Sequence, residues 1–201
     1  MTKLTFGISM SLDGFIAGPN QTLEEALGRG GEKLHEWAFA ATAWRKSHGM
    51  SGGENNADSD VIEESLRNTG ATLMGRRMFS GGGDEPPFHH PVFVLTHHAR
   101  EPLTLQGGTT FTFVNDGIES ALEHAKAAAG DKDVLVGGGA SVVQQYLKAG
   151  LLDEMDIHVA PVFLGDGVRL FENLGPQLRE IECMRVIESP AVTHLRYRVV
   201  K

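Results

Sequence analysis

Cysteine is almost absent from this chain of 201 residues, in which Cys183 is the only one. A single cysteine forms no internal disulfide and cannot supply the thiolates of a cysteine-rich zinc site. A small scaffold held together by disulfides is therefore excluded, and a hydrophobic core has to stabilise the fold. Hydrophobic residues make up 41% of the chain, an ordinary share for a globular protein with such a core.

Positive charge is also scarce. Lys and Arg total 18 against 26 Asp and Glu, which gives a formal net charge of −8. An acidic surplus argues against binding to nucleic acid or to an anionic membrane surface. The N-terminal segment has no signal-peptide pattern, and no run approaches the ~18 consecutive apolar residues of a membrane span. We therefore expect a cytoplasmic protein that acts on a small molecule, with no nucleic-acid partner and no membrane contact.

Short apolar runs alternate with stretches of helical periodicity along the chain, which is typical of an α/β layered fold. Neither a repeat nor a linker divides the sequence, so we predict one domain over 1–201. Helices are predicted at 32–45, 60–68, 118–129 and 141–149, the second with Asp58 or Ser59 as its N-cap. Strands are predicted at 3–10, 71–74, 91–96, 109–114, 134–136, 155–162, 181–188 and 193–200.

A glycine run follows the apolar segment Val134–Val136 and opens an amphipathic helix. Glycines let a ligand approach the backbone closely, and the unpaired N–H groups of a helix start attract phosphate. The hexad Gly137, Gly138, Gly139, Ala140, Ser141, Val142 is not the Rossmann fingerprint, because Val142 stands where that motif has Gly or Ala. It is not a P-loop either, since no Gly-Lys-Ser/Thr follows. The run predicts a pyrophosphate site or, alternatively, a packing turn without a ligand.

Two further apolar segments also end in polar or basic residues. Residues 72–74 lead into Gly75, Arg76, Arg77 and Met78, where the arginines either hold a cofactor phosphate or are simply solvated. Residues 92–95 lead into Thr96 and His97, and His98 and Arg100 follow, as for an adenosine 2′-phosphate at a strand end. The histidine pairs 89–90 and 97–98 are poor chelates, because neighbouring side chains on an extended chain point apart. We expect no metal site.

Asp13 belongs to the segment Ser9–Gly18, which reads SMSLDGFIAG. An Asp-Gly pair favours a turn after a strand, because Asp bonds to its own backbone and tolerates a left-handed conformation. The same carboxylate could stand beside a substrate and act in catalysis. The local sequence leaves both interpretations open.

Taken together, four segments resemble the dihydrofolate-reductase-like superfamily, especially the reductase domain of riboflavin biosynthesis and its stand-alone relatives. They are 9–18, MGRRMF at 74–79, PVFVLT at 91–96, and 134–171, which contains GGGAS, GLLDE and PVFLGDG. The resemblance implies a three-layer α/β fold with a mixed, mainly parallel central sheet flanked by helices. It also implies NADPH as the hydride donor and a homodimer, with 193–200 as a candidate interface.

The resemblance also assigns roles to individual residues. It places cofactor phosphates at Gly75, Arg76, Arg77 and Met78, the adenosine end at Thr96 and His97, and the pyrophosphate at Gly137–Val142. It places Ile16, Ala17 and Gly18 beside the nicotinamide, and Gly165 in a loop that closes the site. Two features depart from the relatives: the Pro-Cys-x-x-Cys of a zinc deaminase is absent, and 80–88 replaces their Thr-x-x-x-Asp-x-Pro segment.

The implied reaction is hydride transfer from NADPH to a C=N, C=C or C=O carbon of a small heterocyclic or conjugated substrate. A substrate like that of 5-amino-6-(5-phosphoribosylamino)uracil reductase is the model. The proton would come from Asp13, a histidine or water. Trp37 and Trp44, with Phe39, either line an aromatic substrate pocket or belong to the core. The alternatives are a dihydrofolate reductase and a non-catalytic nucleotide-binding dimer.

Overall fold

The structure is a computed structural model, and it describes residues 2–22, 25–79, 88–105, 107–176 and 178–201. Most of the departing segment 80–88 lies outside this range, so its predicted pocket role is not addressed. The described strands are β1 (Leu4–Ser11), β2 (Phe15–Ala17), β3 (Thr69–Gly75), β4 (Val92–Leu95), β5 (Leu103–Thr104), β6 (Thr110–Val114), β7 (Asp133–Gly138), β8 (Glu154–Ala160), β9 (Val168–Arg169), β10 (Ile181–Glu188) and β11 (Thr193–Val199).

The described helices are α1 (Glu36–Ala40), α2 (Thr42–Ser47), α3 (Ala57–Asn68), α4 (Ile118–Ala129) and α5 (Ala140–Lys148). A short 3-10 helix, Gly31–Leu34, precedes α1. The central sheet is mixed and mainly parallel and is flanked by helices, which confirms the predicted fold class. No described helix has the length and apolar character needed to cross a membrane.

The chain divides into two compact units. The first comprises residues 1–6 and 68–153, and the second comprises 7–67 and 154–201. The prediction of one domain over 1–201 stays a prediction.

The first unit is built on parallel strands. The start of β1 pairs with β7, β7 with β3, β3 with β4 and β4 with β6, all parallel, and the short β5 pairs antiparallel with β6. Its core is a cluster of buried apolar side chains from these strands and from the segment after β3: Met74, Phe79, Val92, Val94, Phe111 and Phe113. Parallel strands buried on both faces read as near-continuous apolar runs, as TLMG and VFVL do.

The second unit contains antiparallel strands. β8 pairs with β11 and β11 pairs with β10, while β2 and β9 form a separate two-stranded ribbon. Trp37, Ala38 and Val192 form a small buried cluster, against which the half-buried Trp44 and Ile62 pack.

The continuous helix predicted at 32–45 is wrong. Ala41 is extended, with ψ of 137°, and separates α1 from α2. It forms an isolated bridge with Glu54, and the Thr42 N–H donates to the Glu54 carbonyl at 3.0 Å. Glu54 lies between α2 and α3, and its hydrogen bond to Thr42 competes with the helix.

The N-cap predicted at Asp58 or Ser59 is also wrong. The helix begins at Ala57, and the side chain of Asn56 accepts a hydrogen bond from the Ser59 N–H at 3.0 Å. Asn is a preferred N-cap residue, so a boundary two or three residues earlier obeys the same rule. The short strands β2, β5 and β9 were not predicted, because two or three residues carry no readable alternation.

Candidate functional site

In the first unit, three of the predicted cofactor segments lie side by side at the carboxyl edge of the parallel strands. Gly75, at the end of β3, pairs with Leu95, at the end of β4. Met74 pairs with Gly138, at the end of β7. Thr96 follows Leu95 directly. Since ligands of open α/β sheets bind at the carboxyl ends of the strands, this edge is the candidate cofactor site.

Two of these segments interlock through their glycines. A Cβ built on Gly138 would lie 2.8 Å from Met78 Sδ, and one on Gly75 would lie 3.0 Å from Val142 Cγ2. Gly138 also has a φ of 131°, which L-residues with side chains rarely adopt. These two glycines are therefore needed for close packing between the segment after β3 and the start of α5.

Gly139 is different, because a Cβ there would meet nothing within 4 Å. It is the N-cap of α5, and no side chain caps the helix there. The first N–H groups of a helix have no intrahelical partner, and the helix dipole adds positive potential at this end. Open space in front of a glycine at an uncapped helix start fits a bound pyrophosphate.

The two predicted phosphate-binding arginines differ in their surroundings. Arg76 donates from Nη1 to the Phe79 carbonyl at 3.1 Å, and its guanidinium lies 5.7 Å from the Phe79 ring centre. Arg77 is exposed and has no partner within the described part of the chain. Thr96 Oγ1 accepts a hydrogen bond from the His98 N–H at 3.2 Å, and His97 is exposed. Arg77 is therefore the arginine whose guanidinium stays available to an anion.

In the second unit, Asp13 and Gly165 meet as members of one hydrogen-bonded turn. The Asp13 carboxylate accepts from the Gly165 N–H at 2.8 Å, from the Leu164 N–H at 3.1 Å and from Ser11 Oγ at 2.6 Å. The Ser11 hydrogen bond and these backbone donors lower the pKa of Asp13 below its usual value. A carboxylate that accepts all three bonds holds this loop in place. The catalytic role of Asp13 stays a prediction.

Ile16 and Ala17 lie on β2, where both are buried, and Ala17 pairs with Val168 of β9. A Cβ on Gly18 would lie 2.1 Å from the carbonyl oxygen of Arg29, so this position accepts only glycine. The predicted segment 16–18 is thus fixed in a tight backbone environment. Its contact with a nicotinamide stays a prediction.

The two predicted substrate tryptophans have unequal exposure. Trp37 is buried, and its indole N–H donates to Ser9 Oγ at 3.0 Å. Trp44 is half-buried, stacks on His48 with ring centres 3.9 Å apart and lies 4.8 Å from the Phe39 ring centre. Trp37 therefore serves the core in this arrangement, and Trp44 is the more exposed of the two tryptophans.

Sequence reasoning missed a buried polar chain in the second unit. His194 Nε2 lies 2.9 Å from Asp58 Oδ1, and His194 Nδ1 lies 2.8 Å from His158 Nδ1. All three side chains are buried, and the Trp37 ring centre lies 4.8 Å from that of His158 and 5.0 Å from that of His194. A histidine between the apolar residues Ile157 and Val159 of β8 was the available signal.

No group of three or more His, Cys, Asp or Glu side chains within the described ranges is arranged to hold a metal ion.

The model of the RibD C-terminal domain family matches residues 2–195 of this chain. The chain is also 39% identical over 180 residues to the uncharacterised protein YyaP of Bacillus subtilis strain 168, an alignment that covers 84% of this chain and 80% of YyaP. The chain belongs to the RibD C-terminal domain family.

Two solved structures show how widely the fold is shared. A putative riboflavin biosynthesis protein from Shewanella sp. PV-4 superposes with a TM-score of 0.70 at 23% identity, and each chain is covered completely. Dihydrofolate reductase from Enterococcus faecalis, complexed with NADP(H), superposes with a TM-score of 0.58 at 14% identity over 99% of this chain and 97% of that one. The dihydrofolate-reductase-like fold is thereby confirmed. Family and fold together indicate a reductase-like enzyme.

Proposed function

We propose that this protein is an NADPH-dependent reductase that transfers hydride to a small heterocyclic or conjugated substrate. The observation that carries the proposal is the side-by-side position of Gly75, Leu95 and Gly138 at one edge of the parallel strands. Three segments selected independently for phosphate chemistry meet there, although more than sixty residues separate the first from the last. A shared ligand would explain why the glycine hexad, the arginine pair and the Thr-His turn lie at the same edge of the sheet.

The cofactor would use the first unit mainly through backbone and arginine contacts. The N–H groups at the start of α5 would hold the pyrophosphate, with Gly139 leaving room for it. Arg77 would pair with the adenosine 2′-phosphate, because its exposed guanidinium is not committed to a described neighbour. When bound, the nicotinamide supplies the hydride, and the protein supplies orientation and a site that excludes water.

Membership of the family supports a substrate class for this proposal. We expect a small conjugated ring system, with 5-amino-6-(5-phosphoribosylamino)uracil and dihydrofolate as the two reference compounds. Trp44 would offer the aromatic face for such a ring, since Trp37 is buried and its indole N–H is satisfied by Ser9. Turnover of dihydrofolate alone would assign the protein to the dihydrofolate reductases.

The experiment is a thermal-shift titration of the full chain with NADPH and NADH in parallel. A ligand that binds the native state alone must raise Tm, by an amount set by its concentration relative to Kd. We expect a clear rise with NADPH and a smaller one with NADH. The variant Arg77→Ala should remove that difference, whereas Arg67→Ala, an exposed arginine at the end of α3, should leave it unchanged. No shift with either cofactor at millimolar concentration would refute the proposal.

A homodimer is part of the proposal, and its interface would involve β10. The predicted interface strand, β11, pairs on both sides, with β8 and with β10, so its backbone has no free edge. In contrast, β10 exposes the apolar side chains of Ile181, Met184 and Val186. Sedimentation of the wild type and of Val186→Lys tests this: a dimer that the lysine converts to a monomer supports it, and a wild-type monomer refutes it.

A further inference from the structure

The helix α3 presents little apolar surface to the rest of the second unit. Three of its twelve side chains are buried, and two of these, Asp58 and Ser59, are polar. Val61 is the buried apolar side chain, and Ile62 is half-buried. A surface helix normally buries a whole apolar stripe, so α3 gains less than usual from the hydrophobic effect. Polar contacts therefore supply much of its attachment.

Two carboxylates join α3 to the antiparallel strands of the unit. Asp58 Oδ1 lies 2.9 Å from His194 Nε2 on β11, and both side chains are buried. Glu64 accepts a hydrogen bond from Arg196 on β11 and forms an ion pair of 2.8 Å with Arg185 on β10. The helix is thus attached by one polar contact near its start and by a second one further along.

The contact at Glu64 is an ion pair that is partly shielded from water. Burial alone would raise the pKa of Glu64, but the hydrogen bonds and charges of Arg196 and Arg185 lower it below its usual value. The side chains of Arg196 and Glu64 are 20% and 23% exposed. Removal of the Glu64 charge would leave two guanidinium groups less compensated, which weakens the attachment more than the loss of a surface pair would.

The residues before α3 are bonded to it and to one another. The Ala43 N–H, at the start of α2, donates to Ser59 Oγ of α3 at 3.0 Å. The Thr42 N–H donates to the carbonyl of Glu54, in the loop between the two helices, at 3.0 Å. Residues 42–67 therefore form one hydrogen-bonded segment that comprises α2, the loop and α3.

Ala41 is a natural pivot for this segment. It is extended, with ψ of 137°, and separates α2 from α1. Glu54 bonds on both sides of it, because the Glu54 N–H donates to the Ala40 carbonyl at 2.8 Å and the Glu54 carbonyl accepts from Thr42. Hinges are a few residues at the ends of elements that absorb the change in backbone angles, and Ala41 has this position.

The segment covers aromatic and polar side chains of the second unit. Trp44 of α2 and Ile62 of α3 pack against the buried cluster that contains Trp37. Asp58 contacts His194, whose ring centre lies 5.0 Å from that of Trp37. Movement of the segment away from the strands would expose this tryptophan and this histidine to solvent.

We propose that residues 42–67 form a lid of the second unit, which opens and closes as one body and is held closed by Asp58 and Glu64. Its part in the reaction rests on the proposed function, because Trp44, the aromatic side chain proposed for the substrate, lies on the lid. Closure of the lid would then fix the position of the Trp44 ring against the substrate. The opening itself does not depend on a cofactor.

The experiment is amide hydrogen exchange of the full chain, followed by NMR at neutral pH without cofactor. We expect the amides of α3 and those of Thr42 and Ala43 to exchange through one shared opening, and faster than the amides of β8 and β11. Glu64→Gln should speed exchange by about tenfold or more at all of these lid amides, although the substitution lies in α3 alone. Glu63→Gln, at an exposed glutamate of the same helix, should leave the exchange unchanged.

Three results would overturn the lid. One is faster exchange in Glu64→Gln that is confined to α3, because the segment would then not move as one body. Another is no change at all in Glu64→Gln. The third is exchange of the wild-type lid amides only as slowly as those of β8 and β11, because opening would then require unfolding of the whole unit.

A second readout separates the lid from the reductase. The probe is dihydrofolate or 5-amino-6-(5-phosphoribosylamino)uracil, whichever the wild type reduces with NADPH. A compound that binds the closed lid must slow exchange throughout the lid, by a factor set by its concentration relative to Kd. Unchanged lid exchange at a saturating concentration would overturn the role of the lid in the reaction. A shared opening in a protein that ignores NADPH and reduces neither compound would preserve the lid and refute the reductase instead.

Discussion

The Gly165 N–H donates a hydrogen bond of 2.8 Å to the Asp13 carboxylate, which joins two residues that are 152 positions apart in the sequence. The Leu164 N–H donates to the same carboxylate at 3.1 Å. Asp13 follows β1, and Gly165 precedes β9, so this one side chain connects the first and last parts of the second unit. The resemblance assigns both residues to the site, and the structure gives them a common mechanical role.

Replacing Asp13 with Asn tests that role. The amide of Asn has the size of the carboxylate, but its NH2 group replaces one of the two acceptor oxygens. In Asp13→Asn, this donor would face a backbone N–H, which is also a donor. We expect Asp13→Asn to lower Tm by a few degrees and to speed hydrogen exchange at Gly165. Asp166→Asn is the control, because the Asp166 carboxylate bonds only to the N–H of the adjacent residue Gly167. It should change Tm and the hydrogen exchange at Gly165 less than Asp13→Asn does.

The pH dependence of the same pair follows from the lowered pKa of Asp13. A carboxyl whose pKa is depressed in the folded state contributes stability above its ordinary value of 3.8. That contribution is lost as the pH falls through the lowered folded value. The difference in Tm between wild type and Asp13→Asn should therefore be full at neutral pH and shrink in acid. A difference that grows in acid would contradict this account.

Gly138 and Gly139 are adjacent, but replacing each with alanine should affect different properties. Gly138→Ala should lower stability, whereas Gly139→Ala should lower NADPH affinity. In Gly138→Ala, a φ of 131° and a Cβ 2.8 Å from Met78 Sδ should destabilise the free protein by about 1–3 kcal/mol, measured by urea unfolding. In Gly139→Ala, φ is −89° and the Cβ enters open space, so the stability of the free protein should hold. This second methyl should instead weaken NADPH binding about tenfold or more, ~1.4 kcal/mol, measured by calorimetry. Equal NADPH affinity in Gly139→Ala and wild type would exclude Gly139 from the cofactor site.

Local pattern was enough to predict much of the fold. The helix at 118–129 has the bounds that were predicted, because its apolar positions repeat at helical spacing and Gly117 and Gly130 flank it. The strand at 181–188 also has the predicted bounds. The break at Ala41 was not predictable, since its cause is a bridge to Glu54 in a segment without pattern. Pairing of β2 with β9 likewise depends on a contact across about 150 residues, which no local window contains.

The candidate site also has parts that local sequence could predict and parts that it could not. The meeting of the three segments at one sheet edge was predictable, because each is a contiguous motif that ends a strand and the fold places those strands together. Cofactor binding there stays a prediction. The buried contact between Asp58 and His194 was not predictable, because the two residues are 136 positions apart and belong to no motif. The sequence offered Asp58 as a helix cap, whereas the structure directs its carboxylate to a histidine.

His35 should make the protein sensitive to acid. Its Nε2 is a buried atom without a hydrogen-bond partner among the described residues, and burial lowers the pKa of its imidazole. Below the ordinary value of 6.5, the unfolded chain takes up a proton that folded His35 resists, so stability falls with pH by up to about 1.4 kcal/mol per pH unit. His35→Phe should remove this contribution, as urea unfolding at two pH values would show. His124→Phe, at an exposed histidine, is the control. An identical acid dependence in wild type and His35→Phe would contradict this assignment.

Arg196 and Arg198 lie on the same strand and form ion pairs of very different burial. Arg196 donates from Nε and Nη2 to the two carboxylate oxygens of Asp156 at 2.7 and 3.0 Å and also pairs with Glu64. Its side chain is 20% exposed, whereas that of Arg198, paired with Glu182, is 53% exposed. Lysine keeps the charge but has no planar fork, so Arg196→Lys should lose the bidentate geometry.

We expect Arg196→Lys to lower the free energy of unfolding by about 1–3 kcal/mol, because two charge-assisted hydrogen bonds cannot both be replaced by one ammonium group. Arg198→Lys should change it by less than about 0.5 kcal/mol, because an exposed pair contributes little. Urea unfolding of the two variants at one pH and one salt concentration measures both values. Equal losses of unfolding free energy in the two variants would contradict this account. They would mean that the bidentate bonds of Arg196 to Asp156 stabilise the protein no more than the exposed ion pair of Arg198.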